Sequence, residues 1–389
     1  MKLILHIGTE KTGTTLIQKW LYANSTSLSK HGIFLSDKIG QPNNRDLVTY
    51  FRKAPDNDWL LKGIKSQKEK EIYFDGFLDA FSDEIEVAKR SHHTCVVTSE
   101  FFHSRLIENE DIAELFRFLE SRFSEISVLC YLRPQWDVRK SLYSTGVKSD
   151  VIEVFSDFQK DLDDRSEYYN YLSLYRRWKN NFPTAGMEFR VYDRNAFPDQ
   201  DIRKDVMSVV HPGFDLGALD FNVESANESV RLLLAHAMIA VNRALPRFGE
   251  SGFFGLNLLY KSILNKTPEL DQGEISDNHS LTMSHRFCAS NEKLFRSLGM
   301  EYEFRAPAVN KEREERLNIQ DVAKVVEETV FRLVEGTSNR LITIEDSKLL
   351  TEIARKCESG GELGKDDAIA LLKIAEKSHP QKKNRSSKK

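Results

Sequence analysis

The chain reads as an α/β protein, a parallel β-sheet with helices on both faces, on three observations. Short apolar runs at residues 3–7, 94–98 and 126–132 have the length and composition of buried parallel strands. Segments with apolar residues at helical spacing lie between them, and this alternation is the pattern of a parallel sheet. Each run also ends in polar residues: Gly8 to Thr15 after the first, Ser99 and Glu100 after the second, Arg133 after the third. In a parallel sheet those ends share one edge, which is where such folds bind ligands.

The first element carries the most information. The run at 3–7 breaks at Gly8, passes through a polar loop and restarts at Thr14 with helical periodicity. A strand, loop and helix in that order turn backbone N–H groups inward and aim a helix N-terminus at one point, which suits an anion. Gly8 and Gly13 have the spacing of a nucleotide-binding P-loop, G-x-x-x-x-G-K-[ST], but Thr14 stands where the lysine belongs. The positive charge is at Lys11 instead.

The remaining elements follow in order. The first helix is expected to end near Asn24, and 32–35 is a second strand or a buried turn. Ile72, Phe74, Phe77, Leu78, Phe81 and Ile85 predict a helix over 71–89. Helices are predicted at 108–122 and from Pro134, a favourable first helical residue, to 148. Further helices are predicted at 168–181, 201–210, 226–245 and 280–298, with a strand at 188–192. Beyond Val309 the composition shifts. A charge run at 311–316 precedes amphipathic patterns at 319–334 and 346–377, the second broken by Gly360 and Gly361. The expected organisation is a P-loop type α/β domain over 1–309, a small helical C-terminal appendage over 310–376 and a disordered tail over 377–389. That tail carries six basic residues and no acid. It reads as solubilising by default, and as a candidate for peripheral contact with a membrane surface or polyanion.

Composition narrows the classes. A formal net charge of −3 argues against a general nucleic-acid binder. Cys95, Cys130, Cys288 and Cys357 are far apart, with no zinc spacing, and read as reduced thiols. No signal peptide can be drawn, and no apolar stretch reaches bilayer-spanning length. A soluble, cytoplasmic protein with no transmembrane segment is expected. His6 reads as a hydrogen-bonded core histidine, and Trp136, Tyr143, Tyr168, Tyr169 and Trp178 as core aromatics. Oligomeric state leaves no signal in the sequence.

The spelling Lys11-Thr12-Gly13-Thr14-Thr15 after a strand resembles the 5′-phosphosulfate loop of sulfotransferases that use 3′-phosphoadenosine 5′-phosphosulfate (PAPS). Arg133 followed eight residues later by Ser141 resembles the second PAPS motif of that family, which holds the 3′-phosphate. Residues 131–148 are similar to the corresponding stretch of bacterial sulfotransferases acting on carbohydrates, and 286–295, with Ser290 and Asn291, to a late element near the nucleotide. No K-G or R-K-G motif of the cytosolic type is present. The resemblance implies a sulfotransferase that moves a sulfuryl group from PAPS to a hydroxyl of a carbohydrate or glycolipid, leaving adenosine 3′,5′-bisphosphate. Lys11, Thr12, Gly13, Thr14, Thr15, Arg133 and Ser141 would bind the cofactor. It implies no metal, since PAPS has no β and γ phosphates to bridge. Lys11 would neutralise the leaving oxygen and Glu100 would be the general base, with His103 as its competitor. The alternatives are a small-molecule kinase using ATP and magnesium, and a non-catalytic nucleotide-binding scaffold.

Overall fold

The computed structural model describes residues 1–155, 158, 166–223, 229–245, 254–273, 275, 280–305, 323–324 and 326–327. Five strands form one parallel sheet in the order β2-β3-β1-β4-β5. They are β1 (Lys2–His6), β2 (Ile33–Phe34), β3 (Thr94–Thr98), β4 (Glu125–Leu132) and β5 (Gly186–Val191). In register, Leu5 faces Val97 on one side of β1 and Val128 on the other. The uncertain run at 32–35 is a two-residue edge strand paired with β3.

Helices α1 (Thr14–Ala23), α2 (Phe77–Ala88), α3 (Asn109–Glu120), α4 (Gln135–Ser149), α5 (Tyr171–Asn181), α6 (Ile202–Val210), α7 (Leu232–Ala244), α8 (Phe254–Asn265) and α9 (Ser280–Ser297) account for the longer periodic segments. Ile4, Val96, Leu129 and Tyr131 pack with Ile17, Leu21, Val206 and Val210 of α1 and α6. The residues of opposite parity, Leu3, Leu5, Val97, Val128 and Cys130, are equally buried, so both faces of the sheet are covered. Full burial of each aliphatic side chain contributes about 1.5–3 kcal/mol.

Three helices differ from their predicted extents, each for a local reason. The predicted helix at 71–89 is two, Gln67–Tyr73 and Phe77–Ala88, because Gly76 adopts φ 68 between them. The predicted helix at 168–181 divides at Asn170, whose side chain accepts from Ser173 N and caps α5. Leu232 opens α7 well after residue 226, because Arg231 is extended (φ −78, ψ 166); residues 224–228 lie outside the described residues.

The chain divides into two compact units, one of 1–138, 164–228 and 281–306, the other of 139–163, 229–280 and 307–389, the division falling within α4. The first holds the sheet. In the second, Tyr143, Val147, Phe155, Leu233, Met238, Ile239 and Ala323 form an apolar cluster, and Asn242 Nδ2 donates to the carbonyls of Val147 (3.1 Å) and Val151 (2.7 Å). Ala323, Lys324, Val326 and Glu327 apart, the predicted appendage at 310–376 and the basic tail at 377–389 lie outside the described residues. No helix among the described residues is long and apolar enough to cross a membrane.

Candidate active site

The strand order places a crevice where β1 leads the chain toward β2 and β4 leads it the other way, the position at which open parallel sheets accommodate ligands. The glycine loop lies there, held by continued strand pairing. Ser99 N donates to His6 O (2.9 Å), Ile7 N to Leu129 O (2.9 Å), Tyr131 N to Gly8 O (2.7 Å) and Thr9 N to Tyr131 O (3.0 Å). The Thr9 hydroxyl adds a second bond to Tyr131 O at 3.0 Å, and the Thr12 hydroxyl closes the loop onto Thr9 O at 2.6 Å. Both threonines are fully buried. Thr12 therefore uses its hydroxyl inside the loop, and its backbone is what remains for a ligand.

Gly8 and Gly13 both adopt positive φ, 106 and 77, where a side chain is strained. A Cβ on Gly8 would also lie 3.2 Å from Glu100 Cα, so the glycine is what lets the loop and the backbone at Glu100 approach. Lys11 is in the left-handed region as well, φ 67. Gly13 is the N-cap of α1, with no side-chain cap and no acidic residue in the first turn. The N–H groups at the start of α1, on Thr14 and Thr15, are thus available to an anion, and the helix dipole favours one. Thr14 is buried and Thr15 half-buried.

Glu100 follows β3 and is half-buried. Burial pushes its pKa above the ordinary carboxylate value; a hydrogen bond from Gln18 opposes this, Glu10 reinforces it and the Lys11 charge opposes it. The Gln18 bond, Nε2 to Oε2, is 2.6 Å. Sequence reading missed Gln18, although a signal existed: it is a polar residue one turn after Thr14 on the buried side of α1, beside Ile17 and Leu21.

Arg133 Nη1 donates to Lys11 O at 2.9 Å, so its first task is to hold the loop. Its guanidinium also lies 5.6 Å from the centroid of Tyr192, and its carbonyl accepts from the Tyr171 hydroxyl at 2.6 Å. Tyr192, which follows β5, stands 3.6 Å from the Cβ position of Gly13. Ser141 belongs to the second unit and Arg133 to the first. Asn291 is buried and exchanges bonds with Gln135 at 2.9 and 3.1 Å, and the Ser290 hydroxyl donates to Phe287 O.

His6 is the buried core residue expected, its Nδ1 2.9 Å from the Thr98 hydroxyl and its pKa lowered to about 4 by burial. His103 is buried too. Its Nε2 donates to Tyr168 O at 2.9 Å, and burial lowers its pKa below the ordinary histidine value. Trp136, Tyr143, Tyr169 and Trp178 are core residues. Tyr168 is different: its hydroxyl donates to Glu10 of the glycine loop at 2.6 Å, and it lines a cleft with His103.

No protein-family model matches the chain, and no solved structure matches it. A protein of Archaeoglobus fulgidus described as uncharacterized is 30% identical over 209 residues, 52% of this chain and 52% of that protein. The chain thus spans about half the length of that relative.

Proposed function

We propose that the protein is a sulfotransferase using PAPS to sulfate a hydroxyl of a carbohydrate or glycolipid. The observation that carries this reading is the meeting of two elements at one sheet edge. A glycine loop with Lys11 in place of a P-loop lysine packs, at Gly8, close to the backbone of Glu100, a half-buried residue whose carboxyl pKa is raised. The uncapped start of α1, with no acid in its first turn, fits the phosphate end of the nucleotide. PAPS supplies an activated sulfuryl group on an anhydride with phosphate. Backbone N–H groups from Thr12 to Thr15 hold the 5′-phosphate, with the Thr14 and Thr15 hydroxyls as further donors. Lys11 neutralises charge on the leaving phosphate oxygen. Arg133 is the proposed 3′-phosphate contact, offering a permanently charged fork. Glu100 takes the proton of the attacking hydroxyl, and its raised pKa makes it the stronger base. Gln18 keeps the carboxylate oriented.

The test is nucleotide choice. A ligand that binds only the folded state raises the melting temperature, by about 2.7 kcal/mol of stabilisation at a hundred times its Kd. Adenosine 3′,5′-bisphosphate is expected to raise Tm well above ADP with magnesium in a thermal-shift titration. Equal shifts would favour the kinase alternative, and no shift with either nucleotide would count against all three nucleotide-binding readings.

A further inference from the structure

Beyond Arg133 the sheet edge runs into a second cavity, walled by aromatic rings. It measures about 310 Å³, at the small end of ligand sites, and lies between the first turn of α4, helix α9 and the segment 302–304, all within the first unit. Trp136, Phe295, Tyr302 and Phe304 line it. They meet one another edge to face, at interplanar angles of 66° to 83°, so no two of these rings stack and their faces are not taken up by one another. Tyr302 is the most open, 39% exposed.

Two lines of contact join this cavity to the glycine loop. Arg133, whose Nη1 holds Lys11 O, precedes Trp136 by one turn, and its carbonyl accepts from Tyr171, whose ring centroid is 6.3 Å from that of Phe304. On the other side Tyr192 stands 3.6 Å from the Cβ position of Gly13, and the next residue, Asp193, acts on Tyr302, whose hydroxyl pKa is raised by burial first and by that carboxylate second. The polar groups of the wall are unequally engaged. Asn291 exchanges bonds with Gln135, and Glu292 pairs with Arg296 at 2.6 Å. Glu303 makes no hydrogen bond or ion pair among the described residues, and no lysine or arginine stands among the described residues of the lining. Ring faces with one available carboxylate and no cation suit a flat, uncharged ring that carries an N–H donor, and disfavour a phosphate.

We infer that this cavity takes the purine base of the nucleotide, the ring lying against Tyr302 and its exocyclic amine donating to Glu303. The inference rests on the nucleotide reading above, which puts phosphates at α1 and Arg133 and leaves the base to be housed beyond them.

Cys288 reports on the cavity, because it lines the wall and is exposed, whereas Cys95 and Cys130 are buried. The experiment follows alkylation of Cys288 by iodoacetamide in the full chain, mapped by mass spectrometry, with adenosine 3′,5′-bisphosphate, with inosine 3′,5′-bisphosphate, with adenosine and with no addition, and measures Tm in parallel. Saturating adenosine 3′,5′-bisphosphate is expected to slow the alkylation. It should also bind at least about tenfold tighter than the inosine compound, which carries a carbonyl oxygen where adenosine carries the amine, the scale of one hydrogen bond to a charged group. Glu303→Gln should abolish that preference, since an amide donates as well as accepts. Tyr302→Ala should weaken both bisphosphates. Both changes are at exposed positions, where the fold is kept. A bisphosphate that raises Tm and leaves Cys288 alkylation unchanged refutes the cavity assignment alone. Adenosine that protects Cys288 in a protein whose Tm ignores the bisphosphate keeps the cavity and refutes the nucleotide reading. Equal affinity for the two bisphosphates, a preference that survives Glu303→Gln, or protection by none of the three compounds overturns the inference.

Discussion

The glycine loop and the wall of the neighbouring cleft are only a few residues apart across the sheet edge, yet they treat their polar atoms in opposite ways. In the loop, Thr9 and Thr12 spend their hydroxyls on backbone carbonyls, and Arg133 braces Lys11 O. Along the wall, His103, Ser104 and Arg105 each leave an atom unpaired. A loop satisfied from within is preorganised: its free donors are backbone N–H groups that need no rearrangement when a ligand arrives. A wall left unsatisfied bears a desolvation cost of about 1–3 kcal/mol per group. Glu100 stands at the border, touching the loop through Gly8 and leading the chain into the wall.

Changing the border residue should have the largest effect. Glu100→Gln preserves shape but cannot take a proton, so transfer of label from radiolabelled PAPS to acceptor should fall about a thousandfold, within the range of general-base catalysis. Bisphosphate binding should persist. Its stability should move the other way. Burial holds the folded pKa of Glu100 above that of the unfolded chain, so ionising it opposes folding; the cost is absent at low pH and complete above the folded pKa. The Tm of Glu100→Gln relative to wild type should therefore rise as pH rises through that window. An active Glu100→Gln enzyme would move the base elsewhere, with His103 next in line.

Within the loop, Lys11→Ala removes a charge without touching the bonds of Thr9 and Thr12. Turnover should drop about a hundredfold, the scale of one transition-state contact, with a smaller loss in bisphosphate affinity. Unchanged turnover would show that Lys11 is away from the leaving group. The smallest effect is expected at Gln18→Leu. The Gln18 bond favours the charged form of Glu100, so its loss should raise that pKa. Activity depends on the deprotonated carboxylate, hence the acid limb of the pH–rate profile should move to higher pH while the rate at high pH is retained. A profile that stays in place would mean that Glu100 does not set it.

Much of the site could be anticipated because it is local. Gly8, Lys11, Gly13 and Thr14 follow one strand within a few residues, and strand order brings Glu100 and Arg133 to the same edge. Gln18, and the partner that holds His103, escaped notice for a physical reason. A glutamine or a histidine on a helix is unremarkable until its partners are known, and the partners here, Glu100 and Tyr168, lie 82 and 65 residues away. The splits at Gly76 and Asn170 escaped in the opposite sense: apolar periodicity continues through a break that a single residue's backbone angle makes.

What the sequence determined by itself is the parallel α/β class, the three strand ends that share an edge, and the loop with its displaced lysine. These depend on burial pattern and short-range geometry, which a linear chain displays. Only the tertiary structure decided that Arg133 holds the loop, that Glu100 is gripped by Gln18 and raised by burial, and that His103 has a buried lone pair with nothing to accept. Each of these is a balance between desolvation and a partner distant in sequence, and that balance exists only once the fold has chosen which groups lose water together.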